Sequence, residues 1–252
     1  MSSHRFYLPP EHCRAADLVL SGGEAHHALH VLRIPLGQRI TVLDGAGQEI
    51  LCEVQHTTRD QVRLKVIEKK LVPPLPCQIT LLQALPKGKM IESIIQKATE
   101  LGVSRIVPLL SERVVTQLDP AEARHKAEKW QGVAIEAIKQ CGSPWLPRVE
   151  TPLTPAQFLA RAEKFDLALL GSLQGDAAHP RKFFQAFQSE HGHKPASVAV
   201  WVGPEGDFTL SELQGIQSAG AKPITLGPLV LRSETAAIFC LSVINYELAS
   251  PG

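Results

Sequence analysis

The run Gly203-Pro204-Glu205-Gly206-Asp207-Phe208 and a second run over residues 226–236, LGPLVLRSETA, decide how this chain is interpreted. Each run follows an apolar stretch that is typical of a buried strand, and each precedes a predicted helix. Glycine lets a backbone approach a ligand closely, and ligands of open α/β sheets bind outside the carboxyl ends of the strands. The two glycine runs therefore predict a small-molecule pocket at one edge of a sheet.

The sequence around the glycine runs alternates between strand candidates and helix candidates. This alternation indicates an α/β fold with a mainly parallel sheet covered by helices. Thr209 and Glu212 have the spacing of a capping box, which predicts a helix start after the first glycine run, and Gly102 is expected to end an earlier helix. Strands are predicted at 79–85, 105–110, 166–170, 197–202 and 223–226, and helices near 91–101, 121–139, 155–164, 181–189, 210–218 and 234–248.

The segment Val72-Pro73-Pro74-Leu75-Pro76 marks the clearest domain border, because consecutive prolines continue neither a ladder nor a helix. Before it, the runs at 39–43 and 50–54 flank the glycine turn at 44–47, and the run at 61–66 alternates polar and apolar residues at period two. These runs predict a small half-buried β domain. We therefore predict one domain over residues 1–72 and a second over residues 77–252.

The composition is that of a globular chain, since 44% of its 252 residues are hydrophobic. No apolar run approaches the roughly 18 residues that suggest a membrane span. The N-terminus also lacks the apolar core of a signal peptide. We therefore expect a cytoplasmic protein without a membrane partner. The net charge of +1 gives no overall field that attracts nucleic acid, so an RNA site requires a local basic patch.

Several common site motifs are absent from the sequence. No strand is followed by Gly-x-Gly-x-x-Gly, and neither a P-loop nor a Gly-x-Ser-x-Gly elbow is present, which disfavours nucleotide enzymes of those classes and serine hydrolases. The five cysteines have no Cys-x-x-Cys spacing, and the pair His26 and His30 lacks an acidic or cysteine partner at a recognisable spacing. We therefore predict no disulfide framework and no metal site.

The two glycine runs together closely resemble the signature of the SPOUT-class methyltransferases that modify N3 of a uridine in 16S ribosomal RNA. The resemblance extends over nearly the whole chain. Further residues that look like this family are Arg5-Phe6-Tyr7, His26-His27, Val31-Leu32-Arg33, Gly37, Asp44-Gly45, residues 96–103, Pro108 and Glu112-Arg113.

The resemblance implies an N-terminal PUA-like RNA-binding β barrel and a C-terminal SPOUT α/β domain with a trefoil knot. It also implies a homodimer that binds S-adenosylmethionine and acts on 16S ribosomal RNA or the small ribosomal subunit. Carried over by position, the cofactor-binding residues are Gly203, Pro204, Glu205 and Gly206 on one side and Leu226, Gly227, Leu229 and Leu231 on the other.

The implied chemistry assigns roles to charged residues of the second run and of other family positions. A uracil N3 becomes a good nucleophile only when its proton is lost or nearly lost. We expect Arg232 to stabilise the uracil oxyanion or orient the base, and Glu234 to position Arg232 or take the proton; phosphate binding is the alternative for Arg232. The expected RNA contacts are Arg5, Arg33, Lys97 and Arg113, although Lys97 and Arg113 also suit salt bridges at a helix and a strand end.

The sequence departs from the family pattern at three places. Asp207 stands where the family usually has glycine, and Leu229 where it has arginine. Residues 139–143, KQCGS, replace Glu-Gln-Ser-x-Arg, which reverses one charge near the presumed active site. Two other interpretations stay open: a non-catalytic RNA-binding or ribosome-assembly protein on the same fold, and a SPOUT enzyme that acts on another RNA or another atom.

Overall fold

The computed structural model describes residues 4–88, 90–113, 118–172 and 177–249. The chain divides into two units. The first consists of Met1–Pro74 with Ile135–Leu146, and the second of Leu75–Ala134 with Pro147–Gly252. The two domains predicted from the sequence, residues 1–72 and 77–252, stay a prediction. The segment Ile135–Leu146 belongs to the first unit of the structure, although it follows the proline segment in the sequence.

The first unit is built on a five-stranded sheet in the order β1-β3-β4-β5-β2. Strand β1 runs parallel to β3, and the remaining neighbours are antiparallel. Strand β5 shows why the sequence forms this sheet, because Val62 and Leu64 are buried while Arg63 and Lys65 between them are exposed. The strands are β1 (Arg5–Tyr7), β2 (Asp17–Leu20), β3 (Arg39–Leu43), β4 (Gln48–Thr57) and β5 (Val62–Leu71).

Short helical segments complete the first unit and close over its apolar core. A 3-10 turn covers Pro10–Cys13, and helix α1 (Gly22–His26) continues into a π-helical turn over His27–Val31. The core contains mostly strand residues, such as Phe6, Leu20 and Ile40, which are fully shielded from solvent.

The second unit contains a six-stranded sheet in the order β11-β9-β10-β6-β7-β8. Every pairing in it is parallel, which confirms the predicted parallel sheet. The two-residue strand β8 was not predicted, because so short a strand has no periodicity. The strands are β6 (Gln78–Ala84), β7 (Arg105–Leu109), β8 (Arg148–Val149), β9 (Leu167–Gly171), β10 (Ser197–Val202) and β11 (Lys222–Ile224).

Helices connect these strands, and most lie where the sequence predicts them. The capping box of Thr209 and Glu212 is present at the start of α6, and Gly102, with φ of 77°, follows the end of α2. The last residues of α3, from Ile135 onward, belong to the first unit. The helices are α2 (Met90–Glu100), α3 (Pro120–Cys141), α4 (Pro155–Leu159), α5 (Pro180–His191), α6 (Leu210–Ser218) and α7 (Ser233–Ala249).

The prediction of a helix over 155–164 is wrong in its length, since α4 ends at Leu159. Two ion pairs hold the following residues outside the helix: Arg161 lies 2.7 Å from Glu150, and Arg105 pairs with Glu163. Ala162 between them adopts a left-handed φ of 51°. Tertiary contacts therefore override the helix propensity of this alanine-rich segment.

Candidate active site

A cavity of about 230 Å³ lies at the carboxyl edge of the six-stranded sheet. Because all strands of this sheet are parallel, the ends of β9 and β10 and the loops that follow β10 and β11 meet at the same edge. Seven predicted cofactor residues line the cavity: Gly203, Pro204, Glu205, Leu226, Gly227, Leu229 and Leu231. Gly206 does not line it. The lining also contains Gly171, Ser172, Val202, Asp207, Thr225, Pro228, Val230, Ser233 and Ala236.

The first glycine run forms a tight turn that leaves little space for a side chain at Gly203. A Cβ there would lie 2.9 Å from Oδ1 of Asp207 and 3.3 Å from the backbone nitrogen of Phe208. The Asp207 amide donates to the carbonyl of Pro204 at 2.9 Å, and its carboxylate accepts from the Phe208 amide at 2.8 Å. Asp207 itself has φ of 60°, the left-handed region that favours glycine. This turn places the backbone of the run directly at the cavity wall.

A buried hydrogen-bond chain joins this turn to β6 and to the start of α7. Ser233 Oγ donates to the carbonyl of Gly203 at 2.7 Å. Gln83, which is fully buried, donates through Nε2 to Ser233 Oγ and to the carbonyl of Ala84, both at 2.9 Å. The sequence interpretation missed Gln83 and Ser233, although a glutamine within an apolar strand is a signal that could have identified the first.

We expect Ser233→Ala to lower the free energy of unfolding by about 2 kcal/mol, because it removes the hydrogen bonds that Ser233 Oγ makes with the buried amide of Gln83 and with the carbonyl of Gly203. It should also weaken ligand binding in the cavity, since Ser233 fixes the turn at Gly203. Urea denaturation measures the first effect. Ser242→Ala, at an exposed serine of the same helix, is the matched control and should change stability by less than about 0.5 kcal/mol.

The second glycine run leaves backbone groups free to bind a ligand. The Gly227 amide donates to Thr225 Oγ1 at 3.3 Å, and Gly227 has φ of 103°. Leu226 and Leu231 are half-buried, and within the residues that the structure describes their backbone groups make no hydrogen bond. Unpaired backbone groups at a cavity wall are natural partners for polar atoms of a bound molecule.

Two further contacts fasten the first run to its neighbours. Glu205 Oε1 accepts from the Lys87 amide, which follows β6, at 3.0 Å. The guanidinium of Arg113 donates to the carbonyl of Gly206. Arg113 is a predicted RNA contact, and this hydrogen bond holds its side chain against the loop that lines the cavity.

The buried carboxylate of Glu212 holds the residues after β7 beside this loop. It accepts hydrogen bonds from Ser111 Oγ at 2.9 Å, from the Glu112 amide at 3.0 Å and from the Thr209 amide at 2.9 Å. Besides capping α6, Glu212 therefore fixes the segment from which Arg113 extends. The capping-box spacing predicts only its contact with Thr209.

The predicted catalytic residues lie where the second run enters α7. Arg232 is exposed, and its carbonyl accepts from the Ala236 amide at 2.8 Å, so it caps the start of the helix. Within the described parts of the chain, the side chains of Arg232 and Glu234 make no ion pair or hydrogen bond, with each other or with other residues. Leu231 and Ser233, which flank Arg232, line the cavity. The catalytic roles stay predictions.

The other predicted RNA contacts have different surroundings. Arg5 donates to the carbonyls of Lys139 at 3.4 Å and Gln140 at 3.1 Å, which caps the end of α3. Lys97 forms an ion pair of 3.0 Å with Glu100, the alternative that the sequence left open. Arg33 is exposed with a left-handed φ of 51°, and no partner for its side chain occurs among the described residues. The RNA roles stay predictions for all of them.

A metal site, a reactive thiol at Cys240 and a membrane-spanning helix are absent from the described ranges. No group of three or more His, Cys, Asp or Glu side chains there could hold a metal ion. Burial raises the pKa of the Cys240 thiol to about 12, so this thiol of α7 stays protonated at neutral pH. None of the described helices has both the length and the apolar character needed to span a bilayer.

Two family models match the chain. The RNA methyltransferase domain matches residues 73–245, which include both glycine runs and the cavity. The RNA methyltransferase PUA domain matches residues 20–67, which lie within the first unit.

Named relatives are similar over most of the chain. The Bacillus subtilis protein named Ribosomal RNA small subunit methyltransferase E is 34% identical over 234 residues, which cover 92% of this chain and 91% of the relative. The Synechocystis protein of the same name is 34% identical over 252 residues, covering 98% of this chain and 79% of the relative.

Solved structures agree with these matches. A Legionella pneumophila protein described as a methyltransferase in complex with the bound cofactor S-adenosylmethionine superimposes with a TM-score of 0.88 at 32% identity, covering 98% of both chains. Ribosomal RNA small subunit methyltransferase E from Neisseria gonorrhoeae, bound to S-adenosylmethionine, superimposes with a TM-score of 0.82 at 27% identity, covering 96% of this chain and 97% of that one.

Proposed function

The chain belongs to the RNA methyltransferase family that includes Ribosomal RNA small subunit methyltransferase E, and on that basis we propose that it methylates N3 of a uridine in 16S ribosomal RNA. It is an S-adenosylmethionine-dependent methyltransferase of ribosomal RNA. The observation that carries the proposal is the cavity that both glycine runs build, since these runs are the residues that resemble the uracil-N3 enzymes.

The residues of the cavity suit S-adenosylmethionine. Val202, Leu226, Leu231 and Ala236 give it apolar walls for an adenine ring, and the free backbone groups of the second run suit the polar edges of the ligand. S-adenosylmethionine supplies a methyl group that its sulfonium already activates. We propose that the residues of the two runs hold it, with Gly206 acting through the loop rather than at the wall: Gly203, Pro204, Glu205, Gly206, Leu226, Gly227, Leu229 and Leu231.

The protein has two tasks beyond binding the methyl donor. It must align uracil N3 with the methyl group, and it must lower the cost of removing the N3 proton. We propose that the exposed guanidinium of Arg232 stabilises the negative charge that develops on uracil. We propose that Glu234 accepts the N3 proton or orients Arg232. The described residues show no contact between the side chains of Glu234 and Arg232, so an orienting contact would form only when RNA is bound.

We propose that residues 1–72 bind the RNA and that residues 77–252 carry out methyl transfer. The PUA match over residues 20–67 supports the first assignment. Within this division, Arg5 and Arg33 contact RNA from the first domain, and Lys97 and Arg113 from the second. The target base has to leave its stack to reach the cavity, and that cost is smallest in non-helical RNA. A ribosomal substrate is consistent with action in the cytoplasm.

We further propose that the second domain contains a trefoil knot, that the first closes as a PUA-like barrel, and that the active protein is a homodimer.

The dimer proposal is supported by an apolar surface, defined here as Leu229, Val230, Phe239 and Tyr246, whose exposed fractions are 73%, 76%, 41% and 62%. Phe239 and Tyr246 lie seven residues apart on one face of α7. Large apolar side chains that are exposed to this extent are frequent at protein interfaces, and a second copy of this chain is the occupant that we propose.

We expect Phe239→Asp to weaken the dimer about 30-fold, since each copy loses roughly 1 kcal/mol of apolar burial. Sedimentation equilibrium against the 27.5 kDa monomer mass measures the dissociation constant. Leu210→Asp, at an apolar residue that is 71% exposed on α6, is the control and should leave the dimer intact. A wild-type protein that is monomeric at all concentrations would contradict the dimer.

The test of the proposed function is methyl transfer from labelled S-adenosylmethionine to naked 16S ribosomal RNA and to assembled small subunits, followed by nucleoside analysis. We expect the label in 3-methyluridine. Label in another nucleoside or another RNA would favour a related enzyme of different specificity. Cofactor binding without transfer to any RNA, or no cofactor binding, would favour the non-catalytic RNA-binding protein.

A further inference from the structure

The cavity at the two glycine runs has an acidic lining. Among its described lining residues, Glu205 and Asp207 are the only charged side chains, and no lysine, arginine or histidine is present. Glu205 is engaged through Oε1 with the Lys87 amide. Asp207 uses Oδ1 to accept from the Phe208 amide, and within the described residues its Oδ2 has no partner.

The charge of the methyl donor differs from that of its product. S-adenosylmethionine carries a sulfonium, an ammonium and a carboxylate, and therefore one net positive charge. S-adenosylhomocysteine has lost the sulfonium charge and is neutral overall. A fixed carboxylate at the wall of a partly closed cavity attracts the first more strongly than the second, because Coulomb interactions are larger there than in bulk water.

The backbone at Asp207 supplies a second argument. Its φ of 60° is a conformation that glycine adopts freely and that aspartate adopts only at some cost. A non-glycine residue that adopts such a conformation at a cavity wall is an outlier that suggests a function for its side chain. The hydrogen bond to the Phe208 amide holds the carboxylate of Asp207 in place.

We propose that Asp207 is a specificity residue whose carboxylate favours the cationic methyl donor over the neutral product, and so promotes release of the product after transfer. The proposal rests on the proposed function, because it takes S-adenosylmethionine as the ligand of this cavity. It concerns binding of donor and product by the free protein, so its test requires neither RNA nor turnover.

The test is calorimetric titration of the whole protein with S-adenosylmethionine and, separately, with S-adenosylhomocysteine. Asp207→Asn removes the charge but keeps an oxygen that accepts from the Phe208 amide, and asparagine tolerates the left-handed backbone. We expect this variant to reduce the preference for donor over product by about 5- to 30-fold, as for a unit charge within about 8 Å at an effective dielectric constant of about 20 to 40. Raised salt should reduce the wild-type preference and leave that of the variant nearly unchanged.

Two further variants separate charge from loop shape. Asp207→Gly relieves the left-handed conformation and removes the same charge, so it should show the same loss of preference as Asp207→Asn. Glu190→Gln removes an exposed carboxylate of α5 that does not line the cavity and should behave as wild type.

The outcomes distinguish this inference from the function on which it rests. Equal weakening of both ligands in Asp207→Asn, or a preference within twofold of wild type, would overturn the role of Asp207 while leaving the cofactor site in place. A wild-type protein that binds neither ligand would overturn the proposed function and the inference together.

Discussion

Replacing Arg232 by alanine is expected to lower the rate of methyl transfer about 100- to 1000-fold and to leave the affinity for S-adenosylmethionine unchanged. A positioned cation that stabilises charge developing in the transition state typically contributes this much. Arg232 suits the role because its guanidinium is exposed and, within the described residues, makes no hydrogen bond or ion pair that the substitution would remove. Its neighbours Leu231 and Ser233 line the cavity, whereas Arg232 itself does not.

Single-turnover methylation with saturating RNA measures the effect on the chemical step. Arg232→Lys keeps the charge without the planar fork and should recover only part of the rate. Arg124→Ala, which removes an exposed arginine of α3, is the control and should retain wild-type turnover. A variant Arg232→Ala with a normal rate at saturating RNA and a raised Michaelis constant would instead assign Arg232 to phosphate binding.

The features of the site that the sequence predicts are those with local causes. Glycine suits position 227 because φ there is 103°, and it suits position 203 because an added Cβ would crowd Asp207 and Phe208. Thr209 and Glu212 predict the start of α6 because a capping box is complete within four residues. The parallel sheet follows from the alternation of strands and helices, which is likewise visible along the chain.

The features that the sequence does not predict depend on residues far apart in the chain. The hydrogen bond between Gln83 and Ser233 spans 150 residues, and no periodicity signals it. The end of α4 is set by ion pairs of Arg161 and Glu163 with residues outside the helix. The trefoil knot that we propose comes from the family resemblance alone: since true knots are rare, an argument from sequence pattern would reject one.

Lys139 shows how a tertiary contact changes the interpretation of a charge. The sequence marks it as a charge reversal near the presumed active site. In the structure its side chain is only 7% exposed, and its Nζ lies 2.8 Å from carboxylate oxygens of both Glu24 and Glu136. Burial alone would lower the pKa of Lys139, but hydrogen bonds to Glu136 and Glu24 outweigh it and raise that pKa above its ordinary value. Its charge is therefore neutralised within the first unit.

We expect Lys139→Glu to lower the free energy of unfolding by about 3 to 5 kcal/mol, although it restores the residue type that the family commonly has. The substitution removes a buried ion pair and places a third carboxylate against Glu24 and Glu136. Because the pKa of Lys139 is raised on folding, its contribution is fully present below about pH 10 and is lost only as pH rises through the folded-state value. Urea denaturation at neutral pH therefore measures the whole effect.

The double variant Glu24→Lys with Lys139→Glu separates this ion pair from a general effect of residue 139. It restores opposite charges at the buried contact, so most of the lost stability should return, which a double-mutant cycle quantifies. Lys129→Glu makes the same change on the same helix at an exposed pair with Glu92, where Lys129 is 58% exposed, and should cost no more than about 1 kcal/mol. A cost of Lys139→Glu no larger than that of the control would contradict a stabilising role for the buried ion pair with Glu24.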